Sequence, residues 1–415
     1  MTVEAANAAR SRALTILIIG FAVIFMSSSI KNTFQVFFVQ MAEFFGQSRG
    51  SFADAGAMFM LAFGVASPLV GGLSDRVGPK RTIQLGLILS GLAFVGCALI
   101  PSFYVFIVLY GIVAAFGLTA MTYVPMGLLV DQSFGEKRKG LAYATLTNGA
   151  AIGFAVLSPV WVYAQGLFAW QEVFMVLGIL FLLPLLLLVQ VYLPDDPVKT
   201  SATATAPAPW NERLKAVGSA RSFYALGIGF FGCGVTMAFI DVHMVAHLQD
   251  MKMTQAQTSI ALGILGVTEL AGGFLAGWAC DRFPKSYVIA ASYFVRALSL
   301  LSLLIFPGVV GAWLFAAMFG LSYLGTVIGT SMYTLGLFGR QLKGFAFGII
   351  WLVHQLGAFV STKIGADVFD WFGSYHWTIL GTGLIAVFSF FVSLLLLPPN
   401  PVSVELPEPA LAKAQ

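Results

Sequence analysis

The chain has 415 residues, 59% of them hydrophobic and 10% charged, with a formal net charge of +4. Soluble domains carry about 45–50% apolar and roughly 25% charged residues, so a water-exposed globule is excluded and a bilayer is the expected solvent. The small positive excess does not signal nucleic acid, because the lysines and arginines fall in short segments between apolar runs, where they act as a topology signal.

Arg10 and Arg12 precede the first apolar run and no cleavage site follows, so the chain is expected to start with an uncleaved span. Runs able to cross about 30 Å of hydrocarbon at 1.5 Å per residue fall at 13–38, 52–73, 82–100, 103–130, 141–164 and 172–193. A second set falls at 223–248, 258–280, 287–306, 312–336, 345–369 and 378–397. This predicts an all-α membrane protein with twelve transmembrane helices in two six-helix bundles, 1–193 and 223–397. Between the bundles, 194–222 contains SATATAPAP and then a charged patch from Asn211 to Lys215; it reads as a flexible cytoplasmic linker ending in a short surface helix. The proline-bearing tail 398–415 reads as disordered.

Three landmarks repeat at nearly one offset. Gly71 to Arg81 reads GGLSDRVGPKR and Gly277 to Lys285 reads GWACDRFPK, which places Asp75 and Asp281 206 residues apart. Lys139-Gly140-Leu141-Ala142 and Lys343-Gly344-Phe345-Ala346 lie 204 apart, as do Gly153 and Gly357. Two structurally repeated halves are expected, a common plan of membrane transporters. With the N-terminus inside, the outer loops hold only Arg49 and Lys252, while Lys31, Arg296 and Lys363 fall inside spans. Every other lysine and arginine lies on the inner side, so both termini are expected in the cytoplasm of a multi-pass protein of a bacterial inner membrane.

Two sets of six spans, with G-x-x-x-D-R after spans 2 and 8, resemble the major facilitator superfamily over essentially the whole chain. The resemblance implies a cytoplasmic latch at Gly71, Asp75, Arg76, Gly78 and Arg81, echoed by Asp281 and Arg282, with glycines that let spans 2 and 11 approach. Ile30-Lys31, the pattern from Val242 to Val245, HQLGAF at His354–Phe359 and Phe372-Gly373-Ser374-Tyr375 resemble its monocarboxylate and oxalate–formate transporter branch. That likeness implies a small organic anion moved by alternating access, with a proton or by exchange, and a substrate-sensitive lysine at Lys31. The branch commonly carries an arginine four residues before the second loop's glycine; here that place is Gly273, while the acid of the motif is kept as Glu269.

Charges at bilayer depth are costly and usually face a cavity or a partner. Glu269 and Arg296 lie about 20 Å and 16 Å from one turn at helical rise, a depth at which they can pair. Arg296 then stands in for the missing arginine, or Glu269 is a proton-coupling carboxylate; the plainer alternative is a structural pair in packing between spans. Lys31 and Asp241 both lie about 27 Å from the inner end on equivalent spans 1 and 7, where a contact would gate the outer side; the plainer alternative is that each reaches the interface alone. His243 and His354 are proton-site or binding candidates, against a purely hydrogen-bonded role. Asn32, Gln35, Tyr123, Asn148, Tyr333 and Trp351 are candidates for lining a central cavity, or equally for gluing helices together. Lys363, Asp367 and Asp370 have the spacing of a surface pair on one helix.

The cysteines Cys97, Cys233 and Cys280 have no metal spacing, and no metal or other cofactor is expected. No GxxxxGK[ST] or GxSxG motif occurs, so neither ATP as fuel nor an enzyme is expected. The expected partners are a small solute, protons and lipid, with a monomer sufficient. The competing function is proton-coupled export of cationic or amphiphilic compounds held at Glu269.

Overall fold

The structure is a computed structural model that describes residues 3–134, 136–194, 210–306, 308–401 and 403–404. Most of the expected linker and tail, 195–209 and 405–415, lies outside the described residues, as do the side chains of Arg10, Arg12, Asp75 and Tyr123. Among the described residues there is no strand, and twelve helices are long and apolar enough to cross a membrane. Spans 1 to 6 are Ala13–Phe44, Arg49–Ser74, Pro79–Leu99, Phe103–Val130, Thr145–Gln165 and Trp170–Tyr192. Spans 7 to 12 are Arg221–Asp250, Gln255–Arg282, Lys285–Ile305, Gly308–Phe338, Gly344–Phe372 and His376–Leu396. Several outrun the apolar stretches expected, because hydropathy marks the hydrocarbon layer while helical hydrogen bonding continues into the interface. The short helix before span 7 is present as Trp210–Gly218.

Two compact units result, and they do not follow the sequence halves. The first holds Met1–Pro197 with Ile240–Val267 and Thr362–Tyr375; the second holds Val198–Phe239, Thr268–Ser361 and His376–Gln415. Thus the adjoining ends of spans 7 and 8 and the last part of span 11 belong to the first unit. The polar contacts described below bind them there.

The sequence repeat reappears as packing inside each unit. In the first, Gly153 of span 5 lies against span 1, where an added methyl would stand 2.6 Å from the Phe25 carbonyl oxygen. In the second, Gly357 of span 11 lies against span 7, where a methyl would strike the carbonyl of Phe231. Phe25 and Phe231 are separated by nearly the same offset as the glycines, so one helix contact has been built twice.

Among the described residues, three spans carry π-helical turns, at Ile107–Ala114, Phe181–Leu185 and Phe239–His243. Pro184 accounts for the second, since it has no N–H to give an α-helical bond. The other two contain no proline.

The start of the tail is anchored. The Tyr333 hydroxyl donates to the Pro398 carbonyl at 3.0 Å, and the Val404 amide donates to the Leu337 carbonyl at 2.7 Å. Tyr333 was expected to line a cavity, but its hydroxyl is occupied at the foot of span 12. The disorder expected from 398 onward does not begin there, because these backbone groups find partners on span 10.

Candidate functional site

Span 1 loosens just ahead of its lysine. Ser27, Ser28 and Thr33 turn their hydroxyls back onto the carbonyls of Ile24, Phe25 and Ser29 at 2.7, 2.7 and 2.6 Å, an arrangement that bends helices. The helix is interrupted at Ser28 and resumes as Ser29–Phe44. On that second segment Lys31 and Gln35 are one turn apart on one face.

Both reach span 7 inside the first unit. The Lys31 ammonium forms an ion pair with Asp241, and the Gln35 amide donates to the Ile240 carbonyl. Asp241 and Ile240 lie within the π turn, which leaves one carbonyl without an intrahelical donor. From the other side, the Tyr110 hydroxyl donates to the Ile30 carbonyl at 3.2 Å. Its ring stacks on Phe34 at 4.6 Å and on Phe59 at 5.0 Å. The stretch of span 1 that carries Lys31 is thus braced by stacked aromatic rings. Lys31 keeps a third of its side chain exposed and Asp241 an eighth, so the lysine is held but not sealed. The expected Lys31–Asp241 contact is present.

Asn32, the residue after Lys31, is buried, and its amide nitrogen has no hydrogen-bond partner among the described residues. His243 is fully buried, 3.1 Å from the Thr362 carbonyl oxygen and against the rings of Phe38 and Tyr375. Asn148 is half-buried on span 5.

The remaining candidates in the second unit form separate groups. Glu269 is buried on span 8. Trp351 stacks on His354 at 5.0 Å, and His354 meets the ring of Phe230 at 4.7 Å and the Met237 sulfur at 3.3 Å. Arg296 departs from expectation. Its guanidinium is wholly buried and donates to Cys233 Sγ, Thr236 Oγ1, Thr326 Oγ1 and the carbonyls of Ser322 and Tyr323, at 2.9–3.2 Å. None of these partners is a carboxylate, so the expected Glu269 pairing does not hold it. Phe319 lies 5.0 Å beneath the cation. Through Nη1 and Nη2 Arg296 ties spans 7, 9 and 10 together by groups that need a donor, while its buried Nε has no hydrogen-bond partner among the described residues.

In the loop after span 2, Gly78 adopts φ +92°, a left-handed value open to glycine; its amide bonds to Ser74 and Pro79 then starts span 3. Arg76 is exposed, Gly71 half-buried and Arg81 exposed, and in the echo Asp281 and Arg282 are exposed, with Arg282 4.6 Å over Trp278. A methyl at Gly72 or Gly277 would meet nothing within 4 Å among the described residues of its own unit.

Sequence reasoning did not find the polar contacts at the turn end of the first unit. Arg49 makes two bonds to Asp250, at 2.5 and 2.7 Å, and lies 3.9 Å over the Phe369 ring. Lys363 reaches Asp54 at 3.1 Å, its expected partner Asp367 at 3.2 Å and the Gly50 carbonyl at 2.9 Å. Asp370 accepts from the Gly50 amide at 2.8 Å. Charges scattered over spans 2, 7 and 11 gave no local pattern that could announce this.

The chain matches the family profile described as Major Facilitator Superfamily over residues 17–362. It is 30% identical over 351 residues to the protein named uncharacterized MFS-type transporter YcxA of Bacillus subtilis, covering 83% of this chain and 85% of that one. Similarity extends to monocarboxylate transporter 12 of Rattus norvegicus, at 23% identity over 89% of this chain and 82% of that one. Human monocarboxylate transporter 11 is 25% identical over 90% of this chain and 80% of its own length. Among solved structures, a bacterial homolog of the human lysosomal transporter Spinster superposes with a TM-score of 0.74 at 14% identity, covering 94% of this chain and 99% of that one. With twelve spans, a duplicated packing plan and a profile match across most of its length, the chain belongs to the Major Facilitator Superfamily and is a membrane transporter, not an enzyme.

Proposed function

We propose that this transporter moves a small organic anion of the monocarboxylate kind across a bacterial inner membrane by alternating access, with both termini in the cytoplasm. The observation that carries the reading is the ion pair of Lys31 with Asp241, a cation within a membrane span held by one exchangeable carboxylate. The passenger's carboxylate replaces Asp241 on the lysine, and the unpartnered amide of Asn32, the next residue along the helix, is the candidate second donor. Parting the pair leaves the Asp241 carboxylate without its cation, so transport is coupled either to a proton that moves with the anion or to the return of a second anion. The named monocarboxylate transporters among its distant relatives support the same class of passenger.

The test is uptake of radiolabelled lactate, pyruvate and benzoate into proteoliposomes with an imposed proton gradient. Uptake driven by an inward proton gradient and lost in Lys31→Ala is expected. Were carboxylates neither bound nor moved while organic cations competed for a site containing Glu269, the reading would give way to cation export.

A further inference from the structure

The geometry points to Gln35 as a positioning residue that holds the π turn of span 7 so that Asp241 meets Lys31. This rests on the proposed role of the Lys31–Asp241 pair but concerns a different residue and a different contact. Gln35 was a candidate for touching the passenger. Instead it is almost fully buried, and its amide is given to the Ile240 carbonyl, the residue before Asp241.

A five-residue π turn inside an α-helix is a one-residue surplus, and it costs the helix a bond. No proline or glycine within Phe239–His243 makes it unavoidable. The same residues could close into α-helix, which would carry the Asp241 carboxylate around the axis. What opposes closure is a donor from outside for the spare carbonyl. Gln35 supplies it, one turn beyond Lys31, so span 1 grips two consecutive residues of span 7. The grip is itself braced, because Tyr110, within the π turn of span 4, bonds to Ile30 at the start of the same stretch. The passage of the chain from one compact unit to the other falls inside this turn, between Phe239 and Ile240.

Proximity can be read without knowing the passenger. In the full-length protein, a Lys31→Cys/Asp241→Cys pair is treated with a short bifunctional thiol reagent and the linked peptides are quantified. An Arg49→Cys/Asp250→Cys pair, joining spans 2 and 7 at the far end of span 7, is the control. With Gln35→Leu added, linking at 31–241 should fall about five- to ten-fold, the population shift that one lost buried hydrogen bond brings. Linking at 49–250 should stay unchanged. If both pairs fall together, Gln35 is general packing; if neither falls, it positions nothing; either result overturns the inference. Gln35→Met, which keeps chain length and removes the amide, replaces the leucine variant if that one does not fold. Because no transport is measured, a failed uptake assay leaves this result standing, and the reverse holds as well.

Discussion

An ammonium in the middle of a membrane helix costs about 2.5–3.5 kcal/mol on insertion scales, and Lys31 offsets that cost with one carboxylate on another span. The arithmetic makes the pair fragile to single changes and tolerant of a double one. Asp241→Ala strands a cation and should lower stability in detergent by about 3–5 kcal/mol, while Lys31→Ala/Asp241→Ala should recover most of that loss. Both variants should lack anion uptake. A melting series that shows the double variant as unstable as the single one would remove the pair from the energetics. Arg296 makes the opposite case, for its donors satisfy carbonyls and hydroxyls, each of which would cost about 1–3 kcal/mol if left bare. Arg296→Met should therefore lower stability by several kcal/mol, seen as reduced yield and a lower thermal midpoint, while leaving the KM for an anion within about two-fold in the protein that survives. A large rise in KM with unchanged stability would restore it to the substrate path.

At the scale of helices, the repeat makes its own prediction. Gly153 and Gly357 each stand where a methyl would collide with the carbonyl of Phe25 or Phe231, whereas Gly72 and Gly277 stand in open space. Overpacking typically costs about 1–3 kcal/mol, so Gly153→Ala and Gly357→Ala should each lower the thermal midpoint, and Gly72→Ala and Gly277→Ala should scarcely move it. Equal effects at all four would mean that the echo in sequence is not an echo in packing. This contrast also shows what could be read in advance. Apolar run length revealed the twelve spans, because the bilayer sets that length, and equal depths on spans 1 and 7 brought Lys31 to Asp241. Depth alone failed for Arg296, because neutral hydroxyls and carbonyls satisfied it and hydropathy does not register such partners. The π turn at Phe239–His243 was illegible for a related reason. A one-residue surplus without proline leaves composition and period nearly untouched, so neither the turn nor the bond from Gln35 to Ile240 could be foreseen.

At the scale of the molecule, the notable fact is that two stretches from the second sequence repeat, Ile240–Val267 and Thr362–Tyr375, pack in the first compact unit. The bonds that hold them are of unequal worth. Lys363, Asp54 and Asp367 are each roughly a third to a half exposed, and pairs of that kind contribute about 0–1 kcal/mol. Arg49 is more buried, grips Asp250 with two bonds and lies flat on Phe369, which adds a cation–π term of about 0.5–2 kcal/mol. Burial also holds the Tyr375 phenol above its ordinary range, so the ring beside Arg49 stays neutral while the Arg49–Asp250 pair carries the charge. Arg49→Ala should thus loosen both borrowed stretches, whereas Lys363→Ala should leave them nearly intact. Amide hydrogen exchange in detergent resolves the two cases: Arg49→Ala should speed exchange about ten-fold or more across 240–267 and 362–375, against less than about three-fold for Lys363→Ala, with spans 9 and 12 unchanged in both. If the lysine variant loosened these stretches as much as the arginine variant does, the anchoring would belong to the diffuse charge cluster and not to the buried arginine.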